Sequence, residues 1–286
     1  MKEGRENLSV HRTDNAPGEF RVRQRGPMPQ VYDQIGAGYT KHRCADQRIV
    51  EKLVDILAIS PPATIADIGA GTGNYSRAMA DLGFQVKAVE PSEAMRSQAR
   101  PHNAVRWFDG TAERLSLPDG SVDGVLCILA SHHFSSLPSA IEEMARICRS
   151  GPIVWFTFDP REVDAPWLAD YFPTIWADAF SVFPPLDDVS AQFREHVGRH
   201  TEVIPWVVPH DLQDCFMAAG WRRPEMYLDL TVRACMSAFS VAQVDVVHQG
   251  LSRLQRDLKS GKWIFTYGDL LSQENVDWGY RFLKAV

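Results

Sequence analysis

From Thr64 onward, short and nearly uninterrupted apolar runs alternate with stretches of helical spacing, a rhythm that restricts the chain to a parallel sheet covered by helices on both faces. TIADIG, QVKAVE, AVRWFD, VDGVLCILA and GPIVWFTFD read as five buried strands, with helices between them near 74–82, 92–99 and 138–149. Upstream, Ile49, Val50, Leu53, Val54 and Leu57 share one face of a helix from Gln47 to Ala58, which Pro61 and Pro62 stop. The rhythm breaks after Asp159. Residues 160–199, rich in aromatics and Pro, read as helical or irregular. EVIPWVV (202–208) reads as another strand, Val241 to Lys259 as a long helix, and VDWGYRFLKAV as a last strand. Residues 1–29 are polar and punctuated by Gly and Pro, so a disordered or mobile arm is expected there.

The net charge of −6 gives no basic footprint, so no nucleic-acid partner is expected. No apolar run approaches the roughly 20 residues of a membrane span, and the N-terminal stretch lacks the apolar core of a signal peptide. The expectation is a cytoplasmic protein without a membrane partner. The five cysteines form no CxxC and no Cys/His pair at zinc spacing, so no metal is expected. Cys127 and Cys148 fall inside apolar patterns, as small core residues do. A soft-metal site assembled from distant cysteines is the alternative.

The chemistry concentrates between Asp67 and His133. Asp67, Gly69, Ala70, Gly71, Gly73 and Asn74 form a glycine-rich turn after the first strand that opens a helix. Glycines let a ligand approach the backbone, and a helix N-terminus offers N–H groups and a positive dipole end. A dinucleotide fingerprint would need a third glycine at position 74 or 76, where Asn74 and Ser76 stand. The GxGxG pattern preceded by an acid suits a zwitterionic amino-acid tail better than a pyrophosphate, with Asp67 near the ammonium. Glu90 ends the second strand about 20 residues further on, where an acid chelates ribose hydroxyls; a solvated strand-end carboxylate is the plainer reading. Asp109 ends the third strand, before Gly110, Thr111 and Ala112. It suits an adenine amino group, or else an ordinary helix cap.

DIGAGTGNYS, AVEPSEAM, DGTAERLSLPDGSVDGVLCILASHHF and AIEEMARICRSGPIVWFTFDP together resemble the class I S-adenosylmethionine-dependent methyltransferases, in particular the subgroup of the ubiquinone/menaquinone C-methyltransferases. The resemblance covers roughly residues 30–160. It implies an α/β, Rossmann-like, seven-stranded, mostly parallel sheet of order 3-2-1-4-5-7-6, with EVIPWVV as strand six and VDWGYRFLKAV as an antiparallel strand seven. Residues 30–286 would then be the methyltransferase domain, with a cofactor-binding core over 60–160 and lid insertions over about 160–200 and 210–275. S-adenosyl-L-methionine is the implied cofactor, and Pro91, Met95 and Leu129 join its implied site. VYDQIGAGYTKHR resembles the helix that closes over the cofactor in this group. Tyr32, Tyr39 and Arg43 would face the methionine end, Arg43 meeting its carboxylate.

Methyl transfer is an in-line displacement that needs alignment and a rather dry pocket, plus a base when the acceptor must lose a proton. His132 and His133 follow the fourth strand and are the candidate bases, although a packing or capping pair is equally natural there. Asp159 and His210 are weaker candidates. Trp167, Tyr171, Phe172, Trp176, Phe180 and Phe183 recur at helical spacing, a core stripe from which one or two rings could wall an acceptor. Arg222 and Arg223 could recognise an anionic acceptor, but read more plainly as surface residues flanking a buried Trp221. The expected acceptor is a small molecule, unidentified from the sequence. Cyclisation or cleavage of the same cofactor remains open, as do a non-enzymatic binding protein and a nicotinamide-dependent oxidoreductase.

Overall fold

The computed structural model describes residues 43–286. The expected residues 1–29, Tyr32 and Tyr39 lie outside the described residues. We number the seven strands of the main sheet in chain order: β1 Thr64–Ile68, β2 Gln85–Val89, β3 Val105–Phe108, β4 Gly124–Ile128, β5 Ile153–Phe158, β6 Thr201–Pro205 and β7 Tyr280–Ala285. In space they run 3-2-1-4-5-7-6, all neighbours parallel except those of β7, which is antiparallel to both β5 and β6. The expected fold class, strand order and antiparallel last strand are all present.

β4 at the centre is buried at all five positions, as its unbroken apolar run requires. Alternate residues of β5 feed two different cores. Val154 and Phe156 face one with Ile49, Leu53 and Met79, whereas Ile153 and Trp155 face the other with Met144, Ile147 and Phe193. Cys127 and Cys148 are buried in this second core. The edge strand β6 keeps mostly partly or fully exposed side chains and ends on Pro205, where a missing N–H costs no ladder bond.

Helix α1, Gln47–Leu57, buries the expected apolar stripe; Asp46 caps it by accepting from the Arg48 N–H at 3.0 Å. It ends with Ala58 at φ 52°, before either proline acts. Helix α2, Asn74–Asp81, follows the glycine turn, and α3, Glu93–Arg96, is a single turn, shorter than the 92–99 expected. Its Ser92 cap accepts from Met95 at 3.3 Å, but the apolar periodicity there is too brief to extend it. Helix α4 is Leu137–Ile147.

The lid comprises two insertions. Residues 160–199 hold α5 Trp167–Tyr171, α6 Pro173–Val182 and α7 Leu186–Val197. Between β6 and β7 lie α8 Leu230–Arg233, α9 Ser237–Val241, α10 Val244–Lys259 and α11 Lys262–Tyr267. A two-residue ladder pairs Val208–Pro209 with Asn275–Val276 and closes the base of this insertion. Aromatic edges knit the two insertions: Trp167 meets Trp263 at 5.3 Å and Tyr227 at 5.6 Å, both near perpendicular.

Gly250 lets α10 approach the end of α5, because a Cβ there would lie 2.6 Å from the Phe172 ring. Gly250→Ala should therefore destabilise the protein by about 2 kcal/mol, against the ~1 kcal/mol that Ala normally gains over Gly within a helix. Urea denaturation measures it; a more stable variant would show that the helices separate freely.

Candidate active site

Strand order reverses beside β1, so the loops after β1 and β4 leave the sheet toward opposite sides and open a crevice at its carboxyl edge. The glycine turn forms one lip. Gly69, Gly71 and Gly73 all hold positive φ, at 73°, 59° and 76°. A Cβ on Gly69 would lie 2.5 Å from Ala130, and one on Gly73 would lie 2.6 Å from Trp107, so both glycines serve packing. Above Gly71 the nearest heavy atom is Met95 Cε at 3.5 Å, so this is where a ligand can approach the bare backbone.

Four N–H groups of the turn ahead of the helix are engaged within the protein. The Gly69 and Ala70 N–H groups donate to the Val89 carbonyl at 2.9 and 3.1 Å, Gly73 donates to Ala70 at 2.9 Å, and Gly71 donates to Glu90 at 2.9 Å. A turn whose N–H groups are spent internally is a poor phosphate cradle, in keeping with the missing third glycine.

Glu90, 7 % exposed, takes Gly71 N–H on one oxygen and Ser92 N–H on the other at 3.0 Å. Each oxygen retains a lone pair, so the fixed carboxylate can still accept from two vicinal hydroxyls. Burial raises its pKa, partly offset by these N–H groups and by Arg96. Asp67 lies beneath the turn, 2 % exposed, and accepts from the Ser76 hydroxyl at 2.5 Å. Burial pushes its pKa up to about 6. Its observed role is to anchor α2 under the turn. Asp109 is exposed and caps no helix; it pairs with Arg96 at 3.0 Å, and Arg96 also donates to the Glu90 carbonyl. Ser116 donates to the Asp109 carbonyl at 3.2 Å, and Ala112 is buried.

The other lip follows β4. Leu129 stands at φ 51°, a left-handed conformation costing a non-glycine residue about 1–3 kcal/mol. That bend tucks Ala130 under Gly69 and starts the 3-10 turn Ser131–His133. His132 stacks at 3.8 Å on His133 and at 4.6 Å on Phe183. Burial, then His133 and Arg43, drive the His132 pKa well below the ordinary histidine value; burial brings His133 to about 4. Both imidazoles are neutral at pH 7, and His132 Nδ1 is buried without a hydrogen-bond partner.

A cavity of about 180 Å³ lies over the ends of β4, β5 and β7, beneath the lid. His132, His133 and Leu129 floor it, Phe158, Trp176 and Phe183 wall it, and Met217 and Cys235 belong to its roof. From the aromatic stripe, Trp176, Phe183 and Phe172 line it, while Trp167 and Tyr171 are core and Phe180 is exposed.

Arg43 reaches the cavity rim by a route the sequence did not reveal. Its guanidinium grips Asp214 through Nε and Nη2, Tyr75 donates to the same carboxylate at 3.0 Å, and Asn74 Nδ2 donates to the Arg43 carbonyl at 2.9 Å. Asp214 is 1 % exposed and sits in PHDLQDCFMAAGWRRPE, whose pattern gave no hint of this pairing. Asp159 and His210 stand apart from the cavity. Asp159 caps the turn Pro160–Glu162 and accepts from Leu186 N–H at 3.1 Å, and His210 pairs with Glu274 at 3.1 Å on the surface. Arg222 and Arg223 flank the buried Trp221 and donate to backbone carbonyls. Among the described residues no cluster of three or more His, Cys, Asp or Glu could hold a metal ion, and no helix is long and apolar enough to cross a membrane.

A family model described as a methyltransferase domain matches residues 66–156, the stretch from β1 through β5 that carries both lips. A crystal structure described as a putative methyltransferase from an antibiotic biosynthesis pathway of Anabaena variabilis is 50 % identical with a TM-score of 0.83, covering 86 % of this chain and 99 % of that one. The chain belongs to the S-adenosylmethionine-dependent methyltransferases. The malonyl-[acyl-carrier protein] O-methyltransferase of Pectobacterium atrosepticum is 36 % identical over 130 residues, 45 % of this chain and 51 % of that protein. The chain thus spans about half the length of the curated relatives it matches. The [4+2]-cyclase SpnF shares the fold at 15 % identity and a TM-score of 0.54, over 90 % of this chain and 94 % of that one.

Two outcomes follow from the site's electrostatics. Asp214→Ala should cost about 3 kcal/mol, because it strands a mostly buried guanidinium, and the double variant Arg43→Met/Asp214→Leu should recover most of that in urea denaturation. Recovery of nothing would show that Asp214 matters for packing rather than charge. Asp67, with its pKa raised above the unfolded value, holds its proton more tightly when folded, so its contribution to stability falls as pH rises from about 4 to about 6. His133, with its pKa lowered to about 4, contributes in the opposite sense, stability rising with pH over the interval up to about 6.5. Asp67→Asn should therefore gain stability relative to wild type between pH 4 and 6, with a constant difference above. A difference independent of pH would place the Asp67 carboxylate in water.

Proposed function

We propose that the protein transfers the methyl group of S-adenosylmethionine to a small, partly apolar acceptor held in the cavity beneath the lid. The observation that carries this reading is the aromatic cavity floored by His132, one loop away from a glycine turn whose only bare position, Gly71, is bracketed by Glu90 and Met95. These residues fit the cofactor: Glu90 for the ribose diol, the Gly69–Gly71 backbone for the amino-acid tail, and Met95 and Pro91 beside the sugar. Asp109, Gly110, Thr111 and Ala112 would border the adenine, and Leu129 and Arg43 the methionine end. The bound cofactor supplies an electrophilic methyl group on a sulfonium that departs as a neutral thioether. The chain orients the acceptor and excludes water, and neutral His132 Nδ1 accepts the hydrogen of an acceptor hydroxyl or amine. His133 buttresses that ring.

The cavity chemistry favours a neutral or cationic acceptor over a carboxylate like that of malonyl thioesters. Among the described residues lining it, Arg43 is the sole permanent cation, already neutralised by Asp214, and Asp178 adds a carboxylate at the rim. The likeness to the malonyl-thioester enzymes covers 45 % of this chain, the comparisons do not bear out the ubiquinone/menaquinone C-methyltransferase subgroup, and in our reading the insertions that line the cavity select the acceptor. At roughly 10–15 Å³ of such space per water-sized atom, the cavity accommodates about a dozen non-hydrogen atoms.

S-adenosylhomocysteine should raise the melting temperature in proportion to the logarithm of its concentration, and Glu90→Ala should weaken its binding roughly tenfold or more in titration calorimetry. Equal affinities would remove Glu90 from the ribose. With an acceptor in hand, His132→Ala should lower turnover while leaving S-adenosylhomocysteine affinity unchanged.

A further inference from the structure

A second cavity adjoins the first. It is an open cleft of about 830 Å³ between residues 161–170, α11 and residues 276–278. Pro166 and Trp278 line both spaces, so the indole and the pyrrolidine ring form the partition between an outer vestibule and the inner cavity. Among the described residues the vestibule lining is acidic: Glu162, Asp164, Asp170, Asp269 and Asp277, all exposed, stand against one guanidinium, Arg161. Arg281 offsets part of this charge, pairing with Asp277 at 2.7 Å and Glu162 at 3.5 Å, whereas Arg161 is itself held by Asp159 at 3.1 Å.

We propose that the acceptor reaches the inner cavity through this vestibule, past Trp278, and that it carries a positive charge. The inference rests on the inner cavity being the acceptor pocket. Two independent features support it. A concave surface lined by one sign of charge focuses the field and raises the local concentration of the opposite ion. Inside, Phe158, Trp176, Phe183 and Tyr280 offer ring faces, which attract cations by their quadrupoles, and the two neutral imidazoles add no opposing charge. The other flank is less open to traffic, since the Arg43–Asp214 pair and the Tyr75 hydroxyl bolt the segment before α1 to the lid there.

Cys235, a buried thiol on the inner wall, reports on the route. The protein saturated with S-adenosylhomocysteine is exposed to methanethiosulfonates carrying an aminoethyl cation or a sulfonatoethyl anion. Each forms a mixed disulfide with the thiolate as methanesulfinate leaves. Peptide mass spectrometry gives the rate at Cys235, normalised to that of N-acetylcysteinamide. The cation should be favoured by about fivefold or more at low salt, and Glu162→Gln/Asp164→Asn/Asp269→Asn should bring the ratio near one. Trp278→Leu should speed both reagents. A wild-type ratio near one, a preference untouched by the triple variant, or no labelling of Cys235 would overturn the route. Labelling requires no methyl transfer, so the methyltransferase reading fails separately, through loss of S-adenosylhomocysteine binding.

Discussion

β1 and β4 lie side by side while the chain winds away from them in opposite directions, and everything functional in this molecule depends on the crevice that results. Helices covering both faces leave the carboxyl edge of the sheet as the one place where loops from β1, β2, β4 and β5 converge. The glycines after β1 and the left-handed Leu129 after β4 are local answers to the same demand. Each loop must turn sharply at the strand end so that Ala130 can pass beneath Gly69. The strain at Leu129 is tolerated because β4, buried at all five positions and paired on both sides, over-determines the position of that residue.

Polar groups brought into the crevice are almost all fixed by a second group. Glu90 is held by two backbone N–H groups, Asp67 by Ser76, and Arg43 by Asp214, which also receives Tyr75. Fixed groups lose little freedom when a ligand arrives, which favours tight and oriented binding. His132 Nδ1 is the exception, a buried ring atom with no partner at the cavity floor. Such an orphan is destabilising in the empty protein and is relieved by a donor on a ligand.

The division of labour follows chain order. Residues 66–156, matched by the family model, carry both lips of the crevice. The two insertions contribute Trp176, Phe183, Met217 and Cys235 to the lining of the inner cavity. A cyclase on the same fold illustrates that the sheet alone does not dictate the reaction.

The sequence by itself determined the strands, their order through the family likeness, the glycine turn and the acid at the end of β2. These are local or periodic signals: a buried strand needs an apolar run, and a tight turn under a ligand needs glycine. It also marked Trp176 and Phe183 as members of an aromatic stripe without separating them from Trp167 and Tyr171, because helical spacing reports a face and not what that face meets. Only the tertiary structure decided that Asp214 binds Arg43 across 171 residues, that Asp109 pairs with Arg96 instead of capping a helix, and that the turn spends its N–H groups on Val89 and Glu90. Each depends on which groups the folded chain brings together, Asp214 to Arg43 by the packing of an insertion on the sheet and the others by the pairing of β1, β2 and β3, and no local pattern encodes that.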